Sequence, residues 1–144
     1  MTNSIEIRGL CKSYGDFALR DVNLTLPGGT IMGLIGENGA GKTTTIKCIL
    51  NLVRRDAGEI TLMGRDNIRE EKLAKEDIGV VLDECFFHDT LRPRDVGRIL
   101  APVFRNWDDG LYQDYLDKFQ LPEGKLIKEF SRGMKMKLSL AAAL

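Results

Sequence analysis

Apolar and polar residues alternate over Ile5–Leu10 and again over Val22–Leu26, the period of half-exposed antiparallel strands. Pro27-Gly28-Gly29 then turns the chain. Thr30–Ile35 (TIMGLI) is an apolar run suited to a parallel strand buried on both faces. After it the period changes. Ile46, Ile49, Leu50 and Val53 recur at i, i+3, i+4 and i+7 and predict a helix, which Asp56-Ala-Gly58 should break. Glu59–Met63 reads as a short strand and Arg65–Asp77 as a mixed-charge loop with a short helix. Ile78–Leu82 (IGVVL) is a second candidate for a buried strand.

Beyond residue 82 the pattern is helical. Val96, Ile99, Leu100 and Val103 share one face, with Pro102 placed to end or bend that helix. Tyr112, Tyr115, Leu116 and Phe119 define a further face, opened by Asn106 or Asp108 as N-cap and closed by Pro122-Glu-Gly124. Ser131 is a good N-cap for a last helix through Leu138–Leu144. Strands come first and helices follow, without internal repeat or low-complexity segment.

Length and charge narrow the classes. The 144 residues suffice for one domain with a core. Lys+Arg and Asp+Glu are both 21, so no net field recruits nucleic acid or an anionic membrane. No apolar run reaches the length of a membrane span. Cys11, Cys48 and Cys85 are odd in number and widely spaced, which reads as free thiols in a reducing compartment.

Between the first apolar run and the first helix lie Gly36, Glu37, Asn38, Gly39, Ala40, Gly41, Lys42, Thr43 and Thr44. They fit G-x-x-x-x-G-K-[ST], and a strand, this loop and a helix come in the order a phosphate-binding P-loop requires. Successive backbone N–H groups in such a turn converge on phosphate oxygens, and the helix start adds unsatisfied donors and partial positive charge. Lys42 would reach the β- and γ-phosphates, and the Thr43 hydroxyl would hold Mg²⁺. This predicts a nucleotide-binding α/β core that carries a helical subdomain.

Other candidates weigh less. Tyr14 fits a core aromatic and an adenine-stacking platform equally well. Trp107 and the tyrosines fit helix packing better than a ligand cage. His88, the single histidine, reads as a surface residue and cannot make a metal site alone.

Phe130-Ser-Arg-Gly-Met-Lys-Met-Lys137 gives a capped helix with a glycine in its first turn, a common pattern by itself. Together with the P-loop it resembles the signature motif of the ATP-binding cassette (ABC) ATPases. The resemblance covers nearly the whole chain. Ser4–Phe17 looks like the segment whose aromatic residue stacks on adenine, which would be Tyr14. Ile78–Glu84 looks like the strand entering the Q-loop, and the helical region looks like the family's helical subdomain. The implied fold is an α/β, partial P-loop NTPase core with an N-terminal antiparallel β subdomain over residues 1–83. A helical subdomain with the signature fills 84–144.

The resemblance also implies partners. In this family two cassettes pair head to tail, and each ATP lies between one P-loop and the partner's signature serine and glycine, here Ser131 and Gly133. The implied function is the ATPase subunit of an ABC transporter, with ATP and Mg²⁺ as cofactors, driving an integral-membrane permease. Its place would be cytoplasmic, peripheral on the inner face of the cell membrane. Arg-Asn-Trp-Asp108 with Ser-Arg-Gly-Met134 resembles the branch serving bacterial ABC-2-like export permeases. A soluble ABC protein of DNA repair or translation is the alternative, although such proteins usually carry long insertions or tandem cassettes. A P-loop kinase or GTPase is a third class, against which the signature argues.

Two departures stand out. Asp83 falls where the family's Q-loop glutamine supplies an oxygen to Mg²⁺ or water; it keeps an acceptor but adds a charge and loses two donors. Glu84 is the neighbouring candidate for that role. The acidic strand, catalytic glutamate and switch histidine that follow the family's signature do not occur before Leu144. The expectation is a fragment, inactive in turnover, with uncovered sheet edges that favour dimerisation or aggregation.

Overall fold

The alternation near the N-terminus produces a long β-hairpin. In the computed structural model, which describes residues 2–144, β1 (Asn3–Tyr14) pairs antiparallel with β2 (Phe17–Pro27) across the tip Gly15-Asp16. Opposite residues include Ile5 with Leu26, Ile7 with Leu24 and Leu10 with Val22. Both strands are longer than the alternating runs alone predict. On its other edge β1 pairs antiparallel with β3 (Ala57–Leu62), which pairs with the two-residue β4 (Arg65–Asp66). The sheet order is β2-β1-β3-β4.

Ile7, Leu10, Leu19, Ile60 and Leu62 are buried on this sheet. Register shifts in β1 near Gly9 let it serve both neighbours. There the backbones approach so closely that a Cβ on Gly58, at φ +91°, would overlap the carbonyl of Gly9. Only glycine fits both the space and the left-handed conformation.

Helix α1 (Lys42–Ile49) is shorter than its apolar spacing predicts. It stops at Asn51, whose φ of +51° is left-handed. The Leu52 amide donates to Lys47 O and the Asn51 amide to Cys48 O, the paired bonds of a Schellman ending. The chain therefore leaves the helix before Val53. Its buried residues are Thr45 and Cys48, while Ile46 faces outward. Helix α2 (Glu71–Glu76) follows the charged loop.

Neither apolar run expected as a buried parallel strand forms a ladder. Thr30–Ile35 and Ile78–Leu82 carry no strand pairing, and Ile31 and Ile35 are 101% and 93% exposed. A parallel strand is stable only with bonded neighbours and covered faces. Among the described residues no strand lies alongside either run. Both runs are apolar in composition, but the ladder that a buried strand requires is not supplied.

The chain divides into two compact units, one ending at Lys75 and one spanning Glu76–Leu144. The second is built from α3 (Pro93–Leu100), α4 (Asp109–Lys118) and α5 (Arg132–Ala143), with a 3₁₀ turn at Ile127–Glu129. Its core is Val96, Tyr112, Leu116, Leu121, Ile127, Phe130, Leu138 and Ala141. Asp108, the second of the two expected caps, accepts from the Leu111 amide and opens α4. Ser131 accepts from the Met134 amide and opens α5. Helix α3 ends before Pro102, and its inward residues are Pro93, Val96 and Gly97; Ile99 and Val103 point to solvent. Trp107 packs on Tyr112 at 5.0 Å between ring centroids and donates to Asp109, a helix-packing role. His88 is exposed. Among the described residues no helix is long and apolar enough to cross a membrane.

Candidate functional site: a phosphate loop on a hairpin

Residues Gly36–Gly41 leave the extended segment, turn at Ala40, whose amide donates to Glu37 O, and enter α1. Gly41 sits at the helix N-cap with φ +99°. A Cβ there would overlap Leu19 Cδ2 and lie 3.0 Å from Phe17 Cζ, so β2 presses directly beneath the turn. Glycine is required here twice over, by conformation and by space.

The start of α1 differs from those of α4 and α5. Asp108 and Ser131 cap α4 and α5 with side-chain oxygens. Helix α1 has no side-chain cap and no acidic residue in its first turn. Its leading N–H groups and their partial positive charge are therefore left for an anion. Lys42 reaches back across the loop, and its ammonium donates to Gly36 O at 2.5 Å and Glu37 O at 2.7 Å. The cation is thereby held inside the turn. Residues 36–40 and Thr43 are exposed, so the concavity opens to solvent and the Thr43 hydroxyl is accessible. This donor set, one fixed cation and the leading amides of an uncapped helix beside a hydroxyl, fits a Mg²⁺-bound polyphosphate.

At its far end α1 is held by residues that sequence reasoning missed. The Asn67 side chain, buried, donates to Cys48 O at 2.7 Å and Ile49 O at 2.8 Å. Its oxygen accepts from Arg55, which also donates to Gly58 O at 2.8 Å and Asp66 at 3.1 Å. Asp66 is held below the usual carboxylate range, first by the Arg69 amide and then by the Ile68 amide and Arg55. Nothing in the sequence marks Asn67, since an asparagine in a charged loop reads as turn chemistry.

Tyr14 lies in the same unit, opposite Phe17 across the hairpin. It is 46% exposed and is thus not a core aromatic. Phe17 and Gly41 in turn connect that hairpin end to the loop.

Asp83, Ser131 and Gly133 belong to the second unit. Asp83 and Glu84 line a cleft of about 510 Å³ together with Cys85, Phe130, Arg132, Lys135 and Met136. The acids of the expected Q-loop thus share a cleft with the first turns of α5. Ser131 and Gly133 are exposed, and their chain neighbours Phe130 and Arg132 line it. Lys135 pairs with Asp89 at 2.8 Å and holds that carboxyl below its ordinary range.

Residues 19–144 match the family model described as ABC transporter. The chain belongs to the ABC transporter family. It is 33% identical over 137 residues to the ABC transporter ATP-binding protein YtrB of Bacillus subtilis (strain 168), covering 94% of this chain and 47% of that protein. It is 32% identical to the bacitracin transport ATP-binding protein BcrA of Bacillus licheniformis, covering 100% of this chain and 48% of that protein. A solved ATP-binding subunit of an ABC transporter superposes with a TM-score of 0.86 at 26% identity, over 96% of this chain and 60% of that one. The ABC chain described here therefore spans about half the length of the curated relatives it matches. Its fold is α/β, a partial P-loop NTPase core with an antiparallel sheet and a helical unit.

Proposed function

We propose that this chain is the nucleotide-binding part of an ABC transporter ATPase subunit, which couples ATP binding and hydrolysis to substrate movement by a membrane permease. The observation that carries the proposal is the uncapped start of α1, with Lys42 fixed across a glycine turn. In this reading residues 36–44 cradle the phosphates of ATP, and Thr43 supplies a hydroxyl to Mg²⁺. Tyr14 offers its exposed ring to adenine. Asp83 takes the Q-loop role as an acceptor for metal or water, with Glu84 beside it. Ser131 and Gly133 serve the nucleotide of a second ABC subunit in a head-to-tail dimer. Turnover is a property of the whole protein, and the 144 residues supply its nucleotide-binding portion.

The partner is an integral-membrane permease, which places the subunit in the cytoplasm on the inner face of the cell membrane. An export system of the ABC-2-like branch is compatible with the relative BcrA, named as a bacitracin transport ATP-binding protein.

The test is titration of the protein and of Lys42→Ala with a fluorescent ATP analogue in the presence of Mg²⁺. Losing a charged hydrogen-bond partner costs about 1.5–3 kcal/mol, a weakening of roughly 10- to 150-fold. Equal affinities would remove the phosphate-loop assignment.

A further inference from the structure

Tyr14 is accompanied by a clamp that the phosphate loop does not use. Lys12 and Tyr14 stand two residues apart on β1 and therefore on one face. The Lys12 ammonium lies 5.1 Å from the centroid of the Tyr14 ring, within cation–π range. The same ammonium donates to Asp56 Oδ1 at 2.9 Å, and the other oxygen, Oδ2, accepts the Ser13 amide at 2.7 Å. The Asp56 amide returns a bond to Cys11 O at 2.8 Å. Asp56 thus grips three consecutive residues leading to Tyr14. The Lys12 side chain is only 15% exposed, unusual for lysine, which ordinarily keeps its head in water.

We propose that Lys12 and Asp56 are positioning residues for nucleotide base recognition, holding the Tyr14 ring as a fixed platform with one face on the cation and the other free for a purine. The proposal rests on the adenine reading of Tyr14. A ring already ordered loses less freedom when a base stacks on it. A cation on one face draws electron density from the ring and favours an electron-rich base on the other. Asp56 is held below the usual carboxylate range, chiefly by the Lys12 bond and then by the Ser13 amide, so the clamp is charged at neutral pH. Phe17, opposite Tyr14, touches the Gly41 turn, so the platform and the phosphate loop share one hairpin end.

The test compares affinities for ATP and for inorganic triphosphate, which engages the phosphate loop without a base. Lys12→Met should lower the ATP-to-triphosphate affinity ratio about three- to tenfold, no more than the value of one base–aromatic stack. Lys12→Arg should restore the ratio. Asp56→Asn, which keeps an acceptor for Ser13 but loses the ion pair, should shift the ratio in the same direction as Lys12→Met. A Lys12→Met protein that weakens both ligands equally, or neither, overturns the clamp. Tyr14→Ala separates the two readings. If it lowers the ratio while Lys12→Met does not, only the clamp fails; if it leaves the ratio unchanged, the adenine platform itself fails and the clamp with it.

Discussion

Replacing Asn67 with alanine tests whether the phosphate loop is held from the far end of its helix. The substitution removes the donors to Cys48 O and Ile49 O. Cys48 O keeps the Asn51 amide, so the loss there is one ordinary hydrogen bond, about 1 kcal/mol. Ile49 O loses the side chain that serves it at a part-buried position, about 1–3 kcal/mol. Arg55 loses one of three acceptors but keeps Gly58 O and Asp66. Together this amounts to about 3 kcal/mol, a roughly hundredfold rise in local opening. Hydrogen exchange followed by mass spectrometry reads it directly. Peptides covering residues 42–52 should exchange about a hundredfold faster, whereas those covering α4 (Asp109–Lys118) should not change. Asn67→Asp sharpens the test, because it improves the charge opposite Arg55 but offers only acceptors to two carbonyls. If Asn67→Asp protects α1 as well as asparagine does, or Asn67→Ala changes exchange less than about fivefold, the capping argument is wrong.

The two glycines of the loop with positive φ should respond differently. Gly41→Ala forces a methyl into Leu19 and Phe17 as well as an unfavourable φ, and should destabilise by about 2–4 kcal/mol and abolish ATP binding. Gly39→Ala meets nothing within 4 Å and should cost about 1 kcal/mol, measurable by urea denaturation. Acid stability should depend on Asp66. Its folded pKa is depressed, so its stabilising contribution is present above the ordinary carboxylate range and is lost as pH falls through and below it. Asp66→Asn should flatten the stability profile between about pH 5 and pH 2 while lowering stability at pH 7; an unchanged slope would contradict the network.

How far the sequence revealed the fold depended on whether each feature was local. The P-loop motif, the Ser131 and Asp108 caps and the Tyr112–Leu116 face are written in neighbouring residues, and the structure displays each of those elements. The buried strands at Thr30–Ile35 and Ile78–Leu82 depend on neighbours that composition cannot supply, and they stay unpaired. The end of α1 was misplaced because apolar spacing continues to Val53, whereas Asn51 in a left-handed conformation and the distant Asn67 decide where the helix stops. Asp56 reads from the sequence only as part of the Asp56-Ala-Gly58 break and Lys12 has no reading of its own, since only the sheet register joins a residue of β1 to one just before β3.

The packing of Leu19 and Phe17 beneath Gly41 also makes the shape of the loop depend on the hairpin. An eight-residue helix is far below the length that persists alone in water, so α1 cannot nucleate the loop by itself. The hairpin, by contrast, joins adjacent strands through a two-residue tip and is braced on its other edge by β3. Its surface is what the glycine turn settles on. The anion-binding geometry therefore rests on a strand that contributes no phosphate ligand.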